Sequence, residues 1–277
     1  MYKTLNLVSK PLKFVFNKSK EVKKIYQMKM ARIHPEPVIV LGNPKSGTTV
    51  IAALLGKATD KSFVIDPLFR IENQLEIRKQ LYLNKLEFSD FIKENNFYFS
   101  FEIIKETNFT FLIDDVRKYF SASKLIFIIR DPRDNIRSIL NRLKLPGNLS
   151  DIEDNYIDNI PPTWQLVLKG KSPDVFGSTY IEKLAHRWNL AADTYIHYQS
   201  DIILIRYEDF ILDKKGSIIE LAEKINFSVK HDITPYMDKQ YQPRGDRQIT
   251  WLDFFGKDNL KLIEEICSSR MIIFDYH

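Results

Sequence analysis

Residues 36–57 read EPVIVLGNPKSGTTVIAALLGK, and this stretch decides the fold. Val38, Ile39, Val40 and Leu41 form a short β-branched run ending at Gly42, the pattern of a strand buried on both faces. From about Thr48 to Lys57 apolar residues recur at helical spacing, so a helix follows almost at once. The turn between them is Gly42-Asn43-Pro44-Lys45-Ser46-Gly47-Thr48-Thr49. Backbone N–H groups at such a turn, with the positive end of the helix dipole, form an anion site. Two of the nine glycines of the chain fall in it, where a ligand needs close approach to the backbone. The hydroxyls of Ser46, Thr48 and Thr49 add donors, and Lys45 adds a positive charge.

Working outward, Phe63–Ile65 reads as a short strand, Phe99–Lys105 as a second core strand and Lys124–Arg130 as the clearest strand of the chain. Asp201–Tyr207 is another buried strand. Helical patterns cover about 71–83, 87–95, 109–120, 179–200, 216–226 and 257–269, and Pro132 suits a first helical turn after Arg130. Residues 145–178 are rich in Pro, Gly, Asn and Asp and predict a long loop or insertion; 230–250 predicts an irregular polar stretch. Strands alternating with helices imply an α/β protein with a central, mainly parallel sheet and helices on both faces.

The chain of 277 residues is 44% hydrophobic and 28% charged, enough for a buried core and unlike a disordered chain. A single cysteine, Cys267, excludes a disulfide framework and a thiolate-rich zinc site, and fits a reducing, cytoplasmic compartment. No apolar run is long enough to span a membrane, and the start lacks the features of a signal peptide. The net charge of +5 is uneven: residues 1–36 hold nine Lys/Arg and two Glu, the rest 32 basic and 34 acidic residues. Residues 1–36 therefore form a basic N-terminal arm. It reads either as a peripheral membrane or polyanion contact, or as a solvated helix face. The body is not basic and carries no nucleic-acid signature, so no nucleic-acid partner is expected. The five histidines show no ligand spacing, and no metal is expected.

The string Pro44-Lys45-Ser46-Gly47-Thr48-Thr49 resembles the 5′-phosphosulfate loop of the sulfotransferase family. A second motif supports the resemblance: IFIIRDPRDNIRSIL places Arg130 at a strand end and Ser138 eight residues on. The resemblance extends over most of residues 37–270 and implies one sulfotransferase domain over 37–277, with a P-loop NTPase-like fold. It implies that 3′-phosphoadenosine 5′-phosphosulfate (PAPS) is the sulfuryl donor and that no metal is needed. Arg130 and Ser138 would grip the 3′-phosphate, and a guanidinium forking onto phosphate oxygens is sound chemistry. Tyr207, in RYEDF, matches the tyrosine beside the adenine. Lys105 matches a lysine near the sulfuryl group. Arg244-Gly245 is similar to a shortened Arg-Lys-Gly element over the 3′-phosphate, with Arg247 as the alternative. The acceptor would be hydroxylated: a glycan, a lipid-linked sugar or a small alcohol.

The mechanism needs a base for the acceptor's proton. Cytosolic members of the family carry Lys-Thr-His where this chain has Lys105-Glu106-Thr107. Glycan-type members use a carboxylate soon after the phosphate loop, and that resemblance implies Asp66, 21 residues after Lys45; Glu106 stands equally beside it, with Glu102 in reserve. Two other readings stand beside this one. A P-loop kinase or NTPase would use Phe111–Asp115 (FLIDD) as a strand ending in a magnesium-binding aspartate, but the NTPase loop carries its lysine directly after the second glycine, where this chain has Thr48. A non-enzymatic binding protein would retain the nucleotide fold and dock through the basic arm.

Overall fold

The computed structural model describes residues 30–172, 175–239 and 249–277. The basic arm before residue 30, Arg244, Gly245 and Arg247 lie outside the described residues. Residues at the end of the arm tie down onto the body: His34 N donates to Phe99 O at 2.8 Å, and Asn96 Nδ2 donates to Ala31 O at 3.1 Å.

Five strands form one parallel sheet: β1 (Val38–Gly42), β2 (Phe63–Ile65), β3 (Ile103–Lys105), β4 (Leu125–Ile129) and β5 (Ile202–Arg206), in the order β2-β3-β1-β4-β5. Between them run α1 (Thr48–Thr59), α2 (Gln74–Tyr82), α3 (Phe88–Glu94), α4 (Ile113–Tyr119), α5 (Pro132–Leu143), α6 (Asp154–Asp158), α7 (Pro162–Leu168) and α8 (Tyr180–His197). After β5 come α9 (Tyr207–Leu212), α10 (Lys214–Lys224) and α11 (Trp251–Ile273).

β1 is buried along its whole length, and its side chains divide by strand alternation. Ile39 and Leu41 join Leu125, Phe127 and Ile129 in the core on one face, with Leu184 and Trp188 of α8. Val38 and Val40 join Ile126 and Ile128 on the other, against Ile51 and Leu55 of α1 and Ile218 of α10. A strand covered on both faces must be apolar at every position, which is why β1 and β4 read so plainly in sequence. Because the order reverses direction about β1, the loops leaving β1 and β4 diverge and open a crevice beyond the carboxyl ends of the strands.

Several elements differ from the sequence expectation. The expected strand over Phe99–Lys105 is only Ile103–Lys105, because Asn96–Phe99 turns as a 3-10 helix and buries Phe99. The helix expected at 109–120 is a 3-10 segment (Thr107–Leu112) followed by α4. Residues 145–178 are not a plain loop. They carry α6 and α7 and bury Ile152, Ile157, Ile160, Val167, Leu168 and Val175 in the core. Pro and Asn spacing hid these short helices. The last helix begins at Trp251, six residues before the expected start, and its turn at Gly256 (φ 69°) breaks the helical backbone. No helix among the described residues is long and apolar enough to cross a membrane.

Ile126 lies on β4, between Val40 of β1 and Ile203 of β5, and is fully buried. Ile126→Ala is expected to lower stability by about 2–5 kcal/mol through lost burial and a residual cavity, read as a shifted urea midpoint. An unchanged midpoint would contradict the buried, inner place of β4.

Candidate active site at the carboxyl ends of the strands

Each strand ends in a residue singled out in the sequence. β1 runs into the loop at 42–49, β2 into Asp66, β3 ends on Lys105, β4 is followed by Arg130, and β5 by Tyr207. Parallel register aligns them, since Val40 and Ile65 both pair with Lys105, and Ile129 pairs with Arg206. Pro44, Lys45, Gly47, Thr48, Thr49, Asp66, Lys105, Arg130, Ser138 and Tyr207 all line one cleft of about 770 Å³. Ser138, two turns into α5, reaches this cleft because Pro132 starts the helix directly after the strand corner and Asp131 caps it through Arg133 N.

The loop is held by specific contacts. Gly42 has φ 138°, and a Cβ there would lie 2.4 Å from Ile128 O, so only glycine fits. Gly47 has φ 91°, and a Cβ there would lie 2.3 Å from Tyr207 Cδ2, so the tyrosine ring packs directly on the loop backbone. Lys45 itself sits in the left-handed region at φ 73°, an unfavourable conformation for a lysine that the surrounding contacts enforce. Asn135 of α5 supplies much of that bracing. Its Nδ2 donates to Pro44 O at 3.0 Å and Ser46 Oγ at 2.9 Å, while its Oδ1 accepts from Asn43 Nδ2 at 2.8 Å. Ser46 also donates its N–H to Asn43 O, is fully buried, and does not line the cleft. The N-terminus of α1 has no side-chain cap, in contrast to α5 and α8. Its first N–H groups therefore lack an intrahelical or side-chain cap partner.

Arg130 donates through Nη1 to Lys45 O at 3.1 Å, reaches Asp134 at 3.4 Å, and lies 4.8 Å from the Tyr207 ring centroid. Its buried Nε has no hydrogen-bond partner among the described residues. Burial pushes the Asp134 carboxyl up, but Trp251, Arg130 and Arg137 outweigh it and hold the group below its usual range. Lys105 Nζ lies 2.5 Å from Asp66 Oδ1, and Asp66 N donates to Lys105 O. The three candidate bases thus part company. Asp66 lines the cleft. Glu106 is fully buried outside its wall, accepting from Leu68 N, Asn108 N and Asn108 Nδ2. Burial and the nearby Asp66 charge push the Glu106 carboxyl above its ordinary value. Glu102 pairs with Lys61 and Ser62 at the opposite end of the strand.

Sequence reasoning passed over Asn135, Arg78 and Arg187. A signal existed for each: all three occupy helix positions otherwise taken by core residues, as with Arg187 between Leu184 and Ala191. The reading of FLIDD as a strand ending in a magnesium-binding aspartate does not hold. Phe111–Leu112 finishes a 3-10 turn, and Asp114 and Asp115 open α4, where Asp114 accepts from the Tyr198 hydroxyl.

A parallel sheet with an anion loop at its switch point and a basic cleft beyond it defines an α/β protein of the phosphate-loop class. The chain belongs to the sulfotransferase family: the sulfotransferase domain model matches residues 35–241. Solved structures share this fold at low identity. Sulfotransferase STF9 from Mycobacterium avium is 12% identical, with 94% of this chain and 81% of that one covered, at a TM-score of 0.51. A sulfotransferase from Alicyclobacillus acidocaldarius is 10% identical, with 88% and 98% covered, at 0.51. Mouse sulfotransferase SULT7A1, complexed with PAP, is 14% identical, with 90% and 88% covered, at 0.50. The chain is also 26% identical over 199 residues to a Lon protease of Aster yellows witches'-broom phytoplasma, a match covering 66% of this chain. That match spans only 24% of the protease, and no activity is carried over from it.

Burial, then the charges of Arg142, Arg130 and Lys105, press the Lys45 ammonium from 10.5 down to about 8. The folded chain therefore holds fewer protons than the unfolded chain between about pH 8 and 10.5, and stability from this group rises with pH across that window. Below pH 8 the penalty of the confined charge is fully present. Lys45→Met is expected to raise the thermal midpoint at pH 7, with the gain shrinking toward pH 10. A gain equal at both pH values would show that Lys45 keeps an ordinary pKa.

Proposed function

We propose that the chain transfers a sulfuryl group from PAPS to a hydroxyl of its acceptor. The observation that carries this reading is the convergence of all five strand ends on one cleft. Among the described residues twelve Lys/Arg line that cleft against two Asp, in a body whose acidic residues outnumber its basic ones. Such a wall suits a ligand with several negative charges. The uncapped N-terminus of α1 and the unpartnered Arg130 Nε fit phosphate oxygens. The loop of residues 44–49 would hold the 5′ end of the donor, Arg130 and Ser138 its 3′-phosphate, and Tyr207 its base. Arg244-Gly245 would cover the 3′-phosphate. The mouse sulfotransferase of the same fold is complexed with PAP, the desulfated donor, which adds to the same reading.

When bound, the donor supplies a sulfuryl group on a phosphate leaving group. The residues of the chain position the acceptor oxygen in line with it and stabilise charge as it shifts. Asp66 takes the acceptor's proton. Lys105 holds Oδ1 of that carboxylate, and the second oxygen is left to act as base. Lys105 then neutralises charge on the group in transit, and Lys45, with the loop N–H groups, neutralises charge on the leaving phosphate. With its pKa lowered only to about 8, Lys45 still carries its charge at pH 7, and a bound polyanion would raise that pKa again. Glu106 acts by position: it fixes the turn that carries Asp66 and Asn108. In this reading the transferase comprises residues 37–277 and works in the cytoplasm, and the basic arm of residues 1–36 is either a contact for an anionic surface or a solvated helix face. The acceptor is a hydroxylated molecule of the glycan, lipid-linked sugar or small-alcohol type.

Calorimetric titration with PAP in metal-free buffer is expected to show tight binding, with little response to ATP plus Mg²⁺. Arg130→Ala and Lys45→Ala should each weaken PAP binding by on the order of tenfold or more. Binding of Mg-ATP without PAP would overturn the proposal. Asp66→Asn should keep the PAP affinity and cut turnover by about 10²–10⁴. Loss confined to KM would instead make Asp66 a binding residue.

A further inference from the structure

Beyond Lys105 the cleft wall continues over α2, α7 and α8, and two deeply buried arginines stand in it. Arg187 of α8 is 7% exposed and Arg78 of α2 is 6% exposed, and both line the cleft. Neither forms an ion pair among the described residues. Two other cleft arginines do pair with a carboxylate: Arg130 lies 3.4 Å and Arg137 2.6 Å from Asp134. Arg187 is held by rings, 4.1 Å from the Phe111 centroid and 5.8 Å from that of Trp164. Its one polar partner among the described residues is the Tyr82 hydroxyl, and its Nε has none. Arg78 lies 4.4 Å from the Phe69 centroid. It donates to the side-chain oxygens of Asn108 and Gln74, both neutral, and its Nε has no partner among the described residues. The Glu106 carboxyl feels the Arg78 charge, but its oxygens are taken by Leu68 and Asn108.

A buried guanidinium without a carboxylate is a costly arrangement. Burial presses the Arg187 group below its ordinary pKa, in line with that cost. Two such groups in one wall, set by aromatic faces and neutral amides, are a pre-organised receptor for an oxyanion. Asn108 links them to the reaction centre. Its Oδ1 accepts from Arg78 at 3.2 Å and from Tyr82 at 3.3 Å, while its amide binds Glu106, which follows Lys105 directly.

We infer that the acceptor carries an anionic group, a carboxylate or a phosphate or sulfate ester, near the hydroxyl that is modified, and that Arg187 and Arg78 bind it. The inference rests on the sulfuryl-transfer reading above and narrows the acceptor to acidic molecules such as acidic sugars. Neutral alcohols would leave both arginines unpaired and are disfavoured for that reason.

The test uses the full chain saturated with PAP and titrated with D-glucose 6-phosphate, D-glucuronate and D-glucose. At least one of the two anions should bind about tenfold or more tightly than glucose. Comparison of the two tells a phosphate from a carboxylate. Arg187→Met, which keeps the apolar packing, and Arg78→Gln should each remove the preference with PAP affinity unchanged, thermal midpoints reporting that both variants fold. Equal affinity for the three sugars, binding of none, or a preference that survives both substitutions overturns the inference. Failure of PAP to bind would overturn the donor reading separately. The same titrations on the unloaded chain would then still decide the arginine site, by whether any anion preference depends on Arg187 and Arg78.

Discussion

Parallel pairing of β1 between β3 and β4 is the constraint on which the rest of the molecule depends. It buries β1 on both faces, which demands the unbroken Val-Ile-Val-Leu run. It also points five strand ends the same way, so residues from positions 42 to 207 arrive at one edge of the sheet. An antiparallel strand anywhere in the set would carry its end residue to the far side. The site is therefore a consequence of the strand direction, and the core that enforces direction is what stabilises the site.

The site in turn concentrates unfavourable features. Gly42 and Gly47 hold backbone that other residues resist, Lys45 shares their left-handed region, and several cations crowd one cleft. These arrangements are stable because the surroundings over-determine them. Asn135 ties the loop to α5 through three hydrogen bonds, and Asp134 gathers Arg130, Arg137 and Trp251. A polyanionic ligand would relieve the repulsion that folding leaves in place. Donors already aimed at the ligand cost little reorganisation when it arrives, which is how such a site favours charge transfer between bound groups. The family's fold supplies this frame, and the residues of this chain decide what the acceptor half recognises.

Much of this was legible in the residues, for identifiable reasons. β1, β4 and β5 announce themselves by apolar runs ended by Gly42, Arg130 and Tyr207. The loop shows because glycine and hydroxyl residues cluster where strand meets helix. Ser138 and Arg130 line the same cleft. Short elements were harder. β3 has three residues, too few for a period to appear, and its neighbour Phe99 is buried by a 3-10 turn rather than a strand. Proline and asparagine in 145–178 suggested a loop, yet Ile157, Ile160 and Leu168 pack into the core. Burial there comes from contact with α8, which no local pattern encodes.

The sequence by itself determined the strand–loop–helix unit, the parallel α/β class and the family, because each depends on neighbours within a few turns of chain. Tertiary structure alone separated Asp66 from Glu106 and Glu102, since strand alternation gives a face but not what fills it. It also brought Arg78, Asn108 and Arg187, spread over more than a hundred residues, into one wall where neither arginine forms an ion pair among the described residues. Pairing of charges is settled by distance in space, and only the packing of α2 and α8 against the sheet fixes that distance.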